Sequence, residues 1–119
     1  VVFVIKPEFK PPDSFAIITA HNPLGQILTE EDNIERNRAL EEKLHTYPYQ
    51  IIIGAAPDLS HQEPSFALAC PKTNAIKIAR EFQQNAIYWI EYGQLWLEPV
   101  ILSFTPLHLG QFRDFTRLA

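Results

Sequence analysis

The amino-acid sequence predicts an α+β domain with an antiparallel-rich sheet and two main helices. Short β-branched and apolar runs alternate with two segments that carry helix-start signals, and prolines or glycines separate them. Over residues 14–91 the order is strand, helix, strand, strand, helix, strand, which is typical of a split βαβ, ferredoxin-like core. The 119 residues are therefore expected to form a single domain, with its core at about residues 14–98 and terminal extensions at 1–13 and 99–119.

The first part of the chain predicts two strands and one helix. Residues 1–6 are β-branched and aromatic, and residues 14–21 form a second apolar run. Thr29 precedes three carboxylates, so its hydroxyl can cap a helix whose first turn is acidic. This helix is expected to run to about Tyr47, because Pro48 cannot continue it.

The middle of the chain predicts two strands and an amphipathic helix. Residues 49–53 form a third strand that ends at Gly54, and residues 64–70 form a fourth. Pro71 fits the first turn of a second helix, and Thr73 is the alternative cap. The apolar residues of this helix recur at steps of three and four, which predicts one buried stripe: Ala75, Ile78, Ala79 and Phe82.

The last part of the chain predicts a hairpin and a final helix. Residues 86–91 and 95–98 are strands joined by a short connection that contains a glycine. Residues 100–104 are a candidate further strand. A threonine–proline pair then repeats the cap-plus-proline signal and predicts a short helix over residues 107–118, weakened by a glycine in its interior.

The predicted sheet is apolar on both faces. Successive residues in the second and third strands are apolar, whereas a sheet covered by helices on one face normally alternates with polar residues. Something must therefore cover the second face. The candidates are another copy of the chain or the C-terminal segment with Phe112, Phe115 and Leu118.

Composition and charge oppose several classes of partner. Fourteen acidic and ten basic side chains give a net charge of −4, so no nucleic-acid partner is expected. The longest apolar runs are far shorter than the roughly 20 residues that cross a bilayer, so no membrane association is expected. The single cysteine, Cys70, excludes an internal disulfide and suits a reducing compartment, which makes the cytoplasm the expected location.

The first predicted helix has an unusual inward face. Its apolar stripe is formed by Leu40, Leu44 and Tyr47. The same steps of three or four residues continue the stripe to Asn33, Arg36 and Asn37. Burying an amide or guanidinium without partners costs several kcal/mol, so these groups should be hydrogen-bonded locally or open onto a cleft. A helix tilted away from the sheet at its start would leave them in solvent.

Two segments offer partners for these polar side chains. One is the end of the second strand, with Thr19, His21 and Asn22, and the other is the segment 61–65 that enters the fourth strand. Glu63 can pair with Arg36 in a bidentate salt bridge of purely structural role. If Glu63 lies elsewhere, Arg36 is free to hold an anionic ligand.

Four sequence segments carry a resemblance to a known family: Thr19-Ala20-His21-Asn22-Pro23, Asn33 with Arg36-Asn37-Arg38-Ala39-Leu40, Glu63-Pro64-Ser65-Phe66, and Gln84-Asn85-Ala86-Ile87-Tyr88-Trp89-Ile90. Over about residues 15–97 the chain resembles an uncharacterised bacterial family, domain of unknown function 3293. Gln83 replaces an expected glycine, and His21 stands where another aromatic residue is usual. The resemblance implies no activity or cofactor, but it draws attention to Asn22, Asn33, Arg36, Asn37, Glu63, Ser65 and Gln84.

Other chemistries have weak support in the sequence. The four histidines show no paired metal-ligand spacing, so no metal is expected. Cys70 ends an apolar strand and is more typical of a core residue than of a nucleophile. Ser65 lacks a nucleophile-elbow motif around it. Neither a Walker A loop nor a dinucleotide glycine pattern is present, and no cofactor is expected.

Three hypotheses for function follow. The leading one is a small cytosolic ligand-binding or protein-interaction module with a polar cluster around Arg36. The second is an enzyme with Glu63 as general acid or base, Arg36 as anion clamp, and Asn22 and Gln84 as orienting groups. The third is a structural domain that forms homo-oligomers through its sheet or its C-terminal segment.

Overall fold

Eight strands and two helices make up the fold, and the computed structural model describes all 119 residues. The strands are β1 (Val2–Ile5), β2 (Ser14–Ile18), β3 (Tyr49–Ala55), β4 (Gln62–Leu68), β5 (Ala86–Glu91), β6 (Gln94–Pro99), β7 (Leu107–Gln111) and β8 (Thr116–Leu118). The helices are α1 (Glu30–Leu44) and α2 (Lys72–Glu81), and short 3-10 turns cover Pro23–Gly25 and Phe112–Phe115. The predicted α+β class with two main helices is confirmed.

All eight strands belong to one sheet, in the order β7-β6-β5-β2-β4-β3-β1-β8. The neighbouring strands pair antiparallel except β1 and β8, which pair parallel. The four strands that flank the two helices in sequence occupy adjacent positions in the order β5-β2-β4-β3. The predicted terminal extensions supply β1, β7 and β8 around them.

The helix ends follow from local chemistry. The Thr29 hydroxyl accepts a hydrogen bond from the Asp32 amide at 3.1 Å, as predicted for the start of α1. Helix α1 ends three residues before the predicted Tyr47, whose amide donates to the Leu44 carbonyl in a turn. Pro71 caps α2 without a side-chain bond, and Thr73 lies inside the helix, so the alternative cap was wrong.

The predicted helix over residues 107–118 is wrong. The segment forms β7, a 3-10 turn and β8 instead. Gly110 has a φ of +135°, outside the helical region, and β7 pairs with the otherwise open edge of β6. The predicted strand over residues 100–104 is also wrong, because the amides of residues 100, 101 and 102 all turn towards the Asn85 carbonyl.

The sheet is strongly curled. Strands β7 and β8 lie at its opposite edges, yet only the four residues 112–115 separate them. A flat sheet of this many strands would be about 34 Å across, whereas four residues reach about 14 Å. Phe3 of β1 and Tyr88 of β5 are four strands apart in the sheet, and their ring centroids are only 5.1 Å from each other. The sheet therefore curls strongly, with β7 and β8 as unpaired edges, and has a concave inner face.

Each face of the sheet has its own core. The helix face packs α1 and α2 onto the strands through residues such as Leu40, Ala79 and Trp89. The concave face packs without any residue of α1 or α2, and Phe112 joins Phe15 there at a ring-centroid distance of 5.5 Å. Phe112 and Phe115 therefore cover the second face as expected. Leu118 does not, because it is 72% exposed.

Candidate ligand-binding site

Asn37 joins the ends of two strands. Its side chain is buried, with 8% exposed, which confirms the predicted inward phase of α1 at this position. The Asn37 Oδ1 accepts from the Ala20 amide at 2.8 Å, and its Nδ2 donates to the Pro64 carbonyl at 2.9 Å. Extending the register of β2 and β4 by two residues places Ala20 opposite Pro64. The side-chain amide therefore replaces a direct ladder bond where the two strands separate.

Asn33 holds the loop that follows β2. Its side chain is also buried, with 5% exposed. The Asn33 Oδ1 accepts from the Asn22 amide, and its Nδ2 donates to Asn22 Oδ1, both at 2.9 Å. Asn22 Oδ1 in turn accepts from the Leu28 amide at 3.0 Å. Asn22 has a left-handed backbone with a φ of 47°, which asparagine tolerates better than most residues.

Arg36 connects α1 to two carbonyl groups rather than to a carboxylate. Its Nε donates to the Ala20 carbonyl at 2.7 Å and its Nη2 to the Phe82 carbonyl at 2.5 Å. Phe82 directly follows α2, so the cation lies at the negative end of that helix dipole. Burial lowers the pKa of Arg36 from its ordinary value. The salt bridge with Glu63 does not form.

Gln84 ties the same two regions together. Its Nε2 donates to the His21 carbonyl at 3.1 Å and to the Phe82 carbonyl at 3.2 Å. The Phe82 carbonyl is therefore shared by Gln84 and Arg36. These bonds fix the end of β2 against the end of α2, and Gln84 also borders the cavity described next.

A cavity of about 260 Å³ opens on the concave face. Its apolar wall includes Val1, Phe3, Ile17, Ala55 and Ile87. Its polar lining consists of Thr19, His61, Glu63, Ser65, Gln84 and Tyr88. Gly54, Ala56 and Ala86 complete the lining with little or no side chain, which leaves space that larger residues would fill.

Strand alternation explains why polar groups collect at one end of the concave face. Glu63 and Ser65 share one side of β4, while the intervening residue points to the other side. On β2, Phe15 packs in the concave core, Ile17 lies opposite Tyr88 of β5, and the chain then reaches the cavity rim. The floor of the curled sheet is thus aromatic and its rim is polar.

The Glu63 carboxylate has few partners. Its Oε1 lies 3.5 Å from Asn22 Nδ2 and 3.8 Å from His61 Nε2, and no lysine or arginine pairs with it. The side chain is 31% exposed. Ser65 donates its hydroxyl to the Glu63 backbone carbonyl at 3.0 Å, which leaves the carboxylate unaffected. Glu63 is the one carboxylate side chain in the cavity lining.

Neighbouring groups respond to burial and to the Glu63 charge. The pKa of Tyr88 is raised, first by burial and then by the negative charge of Glu63, so its phenol stays protonated. The pKa of His21 is lowered by burial and by His61, although Glu63 acts in the opposite direction. A shallower cavity of about 370 Å³ shares Glu63 and His61 with the first and extends to the loop after β2.

The seven predicted site residues fall into two groups. Glu63, Ser65 and Gln84 line the 260 Å³ cavity. The other four hold the loop and strand ends through hydrogen bonds: Asn22, Asn33, Arg36 and Asn37. Sequence reasoning missed Gly54 and Tyr88 as lining residues. The available signal was a glycine inside a strand, since Gly54 does not end β3, and such glycines often mark close approach or open space.

The remaining candidate groups lie outside the cavity. Burial raises the pKa of the Cys70 thiol to about 11, so it stays protonated at neutral pH. No group of three or more His, Cys, Asp or Glu side chains is arranged to hold a metal ion. Neither α1 nor α2 has the length and apolarity that a membrane-spanning helix requires.

Comparison with known proteins gives one match. A family described as protein of unknown function (DUF3293) matches residues 18–87, more than half of the chain. This range contains both helices, Glu63, Gln84 and the asparagines of α1. No curated protein and no solved structure matches the chain.

Proposed function

We propose that this chain, which belongs to the DUF3293 family of proteins of unknown function, binds a small molecule in the cavity of its concave face. The observation that carries the proposal is the cavity itself, with an apolar wall and polar groups converging at one end. Ligand sites are usually concave and mostly apolar, with a few placed polar groups. A volume of about 260 Å³ has room for a molecule larger than benzene, on the order of ten non-hydrogen atoms.

The scaffold of this site is proposed to be a ferredoxin-like, antiparallel-rich core within a single domain. The strand order β5-β2-β4-β3 and the antiparallel pairing of these four strands support that assignment. The strands of the terminal extensions then curl the sheet, and β1 contributes Phe3 to the cavity wall. The site therefore depends on the extensions as well as on the core.

In this proposal the seven predicted site residues have two roles, ligand contact and positioning of the site. Glu63, Ser65 and Gln84 contact the ligand, because they line the cavity. Asn33, Arg36 and Asn37 are positioning residues, because their hydrogen bonds go to the loop and strand ends that border it. Asn22 does both, since it bonds within its loop and approaches the Glu63 carboxylate at 3.5 Å.

A cavity-filling variant tests the proposal. A Cβ on Gly54 would lie 3.8 Å from its nearest neighbours, in ordinary van der Waals contact, and the branched side chain of Gly54→Val would extend from it into cavity space. The probe is benzyl alcohol. It is titrated into uniformly labelled protein, and its binding is measured by NMR as changes in the backbone amide chemical shifts. We expect shifts around Gly54, Ser65 and Ile17 in the natural protein, and their loss in Gly54→Val. The control is Ile51→Thr, at an exposed position of the same strand, which should leave binding unchanged.

The outcome against the proposal is equally concrete. Absence of saturable shifts in the natural protein, or equal binding by Gly54→Val, would show that the cavity does not hold ligands. The unfolding free energy separates this result from misfolding. A valine in a strand is more favourable than a glycine, so Gly54→Val should unfold at the same or higher denaturant concentration.

Catalysis by Glu63 is the second candidate. The observation in its favour is the closeness of the Glu63 carboxylate and the His61 ring, 3.8 Å apart at the cavity mouth, which suits proton transfer to a bound molecule. Arg36 does not line the cavity, so the anion clamp of that hypothesis has no support. Mass spectrometry of a metabolite mixture incubated with the protein tests it: conversion by the natural protein and not by Glu63→Gln would support catalysis.

Self-association is a third proposal. Strands β7 and β8 are the free edges of the sheet, and each exposes a leucine: Leu107 is 51% and Leu118 is 72% exposed. Exposed apolar edges favour pairing with another chain. Sedimentation at low and high concentration tests this, and a strictly monomeric chain would exclude it. A cytoplasmic location, a bacterial source and the absence of a nucleic-acid partner remain proposals, supported by the lone cysteine, the family resemblance and the net charge of −4.

A further inference from the structure

The charge of the cavity lining narrows the class of ligand. Neither a lysine nor an arginine lines the 260 Å³ cavity or the shallower one beside it. Phosphates and carboxylates are normally held by such residues or by a helix N-terminus. Neither cavity is lined by a residue of the first turn of α1 or α2. An anionic ligand would therefore meet the Glu63 carboxylate without a lysine, an arginine or a helix N-terminus to hold it.

The Glu63 carboxylate lacks a strong partner inside the protein. Its two polar neighbours lie at 3.5 and 3.8 Å, longer than well-formed hydrogen bonds. The side chain is 31% exposed and both contacts are long, so the carboxylate oxygens can accept further hydrogen bonds, and a cation brought by a ligand can donate them. This free hydrogen-bonding capacity of a carboxylate therefore points to a positively charged ligand.

The aromatic wall favours the same class. Tyr88 lines the cavity, its ring packs edge-on against Phe3, and its phenol stays protonated beside Glu63. An aromatic face attracts a cation within about 6 Å of its centroid. Tyr88 and Glu63 together can hold an ammonium group, while Ile17 and Ala55 contact an apolar body.

We infer that the ligand is a small organic cation, a protonated amine or amidinium on a compact apolar body, with Glu63 as its counter-charge. This inference rests on the proposed binding function of the cavity. It adds the sign of the charge and the residue that selects it.

Three probes of similar shape test the inference: benzylamine, benzyl alcohol and benzoate, titrated into the full chain at neutral pH. We expect benzylamine to bind at least about tenfold more tightly than benzyl alcohol, since a charge-assisted hydrogen bond is worth about that factor. Benzoate should bind most weakly. In Glu63→Gln the preference for benzylamine over benzyl alcohol should disappear. The control is Glu91→Gln. Glu91 is an exposed carboxylate at the end of β5 opposite the cavity-lining Ala86, and its replacement should retain the preference for benzylamine.

The possible results separate the two proposals. Equal binding of benzylamine and benzyl alcohol by the natural protein would overturn the cationic class but leave the cavity as a binding site. Tighter binding of benzoate would do the same. If Glu63→Gln still prefers benzylamine over benzyl alcohol, Glu63 is not the counter-charge of the ligand. If none of the three probes binds, the proposed function fails and this inference fails with it.

Discussion

The polar side chains on the two faces of the sheet differ in how fully they are hydrogen-bonded. On the helix face, the side chains of Asn33 and Arg36 each make two hydrogen bonds and that of Asn37 makes three, and most of the partners are backbone groups. On the concave face, the Glu63 carboxylate has only two distant neighbours and sits beside open space. An exception on the helix face is the Trp89 indole Nε1, which is buried without a partner.

This difference separates architecture from a binding site. Polar groups that saturate backbone donors and acceptors stabilise the fold, because leaving those groups unpaired costs about 1–3 kcal/mol each. Polar groups beside a cavity with few partners contribute little to the fold and remain available to a ligand. Substitutions on the two faces should therefore differ in their effect on stability.

The largest loss is expected at the floor of the concave face. Phe112 is 6% exposed and packs on the rings of Phe3, Phe9 and Phe15. Replacing Phe112 by Ala removes this packing and should lower the free energy of unfolding by about 3–5 kcal/mol. Urea denaturation measures the change. A loss of unfolding free energy below about 1 kcal/mol would mean that the aromatic floor is not a packed core. Floor and rim would then not differ in their contribution to stability.

The next largest loss is expected at Asn37. Asn37→Leu keeps the side-chain volume but leaves the Ala20 amide and the Pro64 carbonyl without their bonds to it. We expect a loss of about 2–4 kcal/mol in the free energy of unfolding. Arg38→Leu, at an exposed position of the same helix, is the control and should change stability by no more than about 0.5 kcal/mol. Equal effects of the two variants would contradict the structural role of the helix-face polar residues.

A smaller effect concerns pH and His21, where the two faces meet. Burial lowers the pKa of His21, so the unfolded chain binds a proton more readily than the folded one. The stability contribution of neutral His21 is fully present above the ordinary pKa of about 6.5 and declines as the pH falls below it. Thermal unfolding at pH 7.5 and pH 5.5 measures the decline. His21→Gln should reduce it, whereas His45→Gln, at an exposed position, should not.

The central fold elements were predictable because their signals are local. The Thr29 cap, the stripe of α2 and the glycine of the β5–β6 turn each depend on a few neighbouring residues. The structure of the C-terminal segment was not predictable, because Thr105-Pro106 resembles the start of a helix. This segment forms a strand instead because β7 pairs with β6 and because Gly110 has a φ of +135°. Such long-range pairing leaves little trace in the sequence.

The candidate site was predictable in part for the same reason. Helical phase alone predicted that Asn33 and Asn37 face inward, and the burial of both side chains confirms this. The cavity could not be predicted, because it exists only where the curled sheet brings Phe3 against Tyr88 across four strands. Alternation along β4 was a usable hint, since it places Glu63 and Ser65 on the side opposite the helices.

The most direct test of the difference between the two faces is the free energy of unfolding of Glu63→Gln, measured by urea denaturation at neutral pH without ligand. The change removes a charge and preserves shape. We predict that the free energy of unfolding stays within about 0.5 kcal/mol of that of the natural protein or increases, because the carboxylate has no strong partner to lose. A loss of more than about 2 kcal/mol would show that Glu63 is an architectural residue and would contradict its assignment to a ligand site.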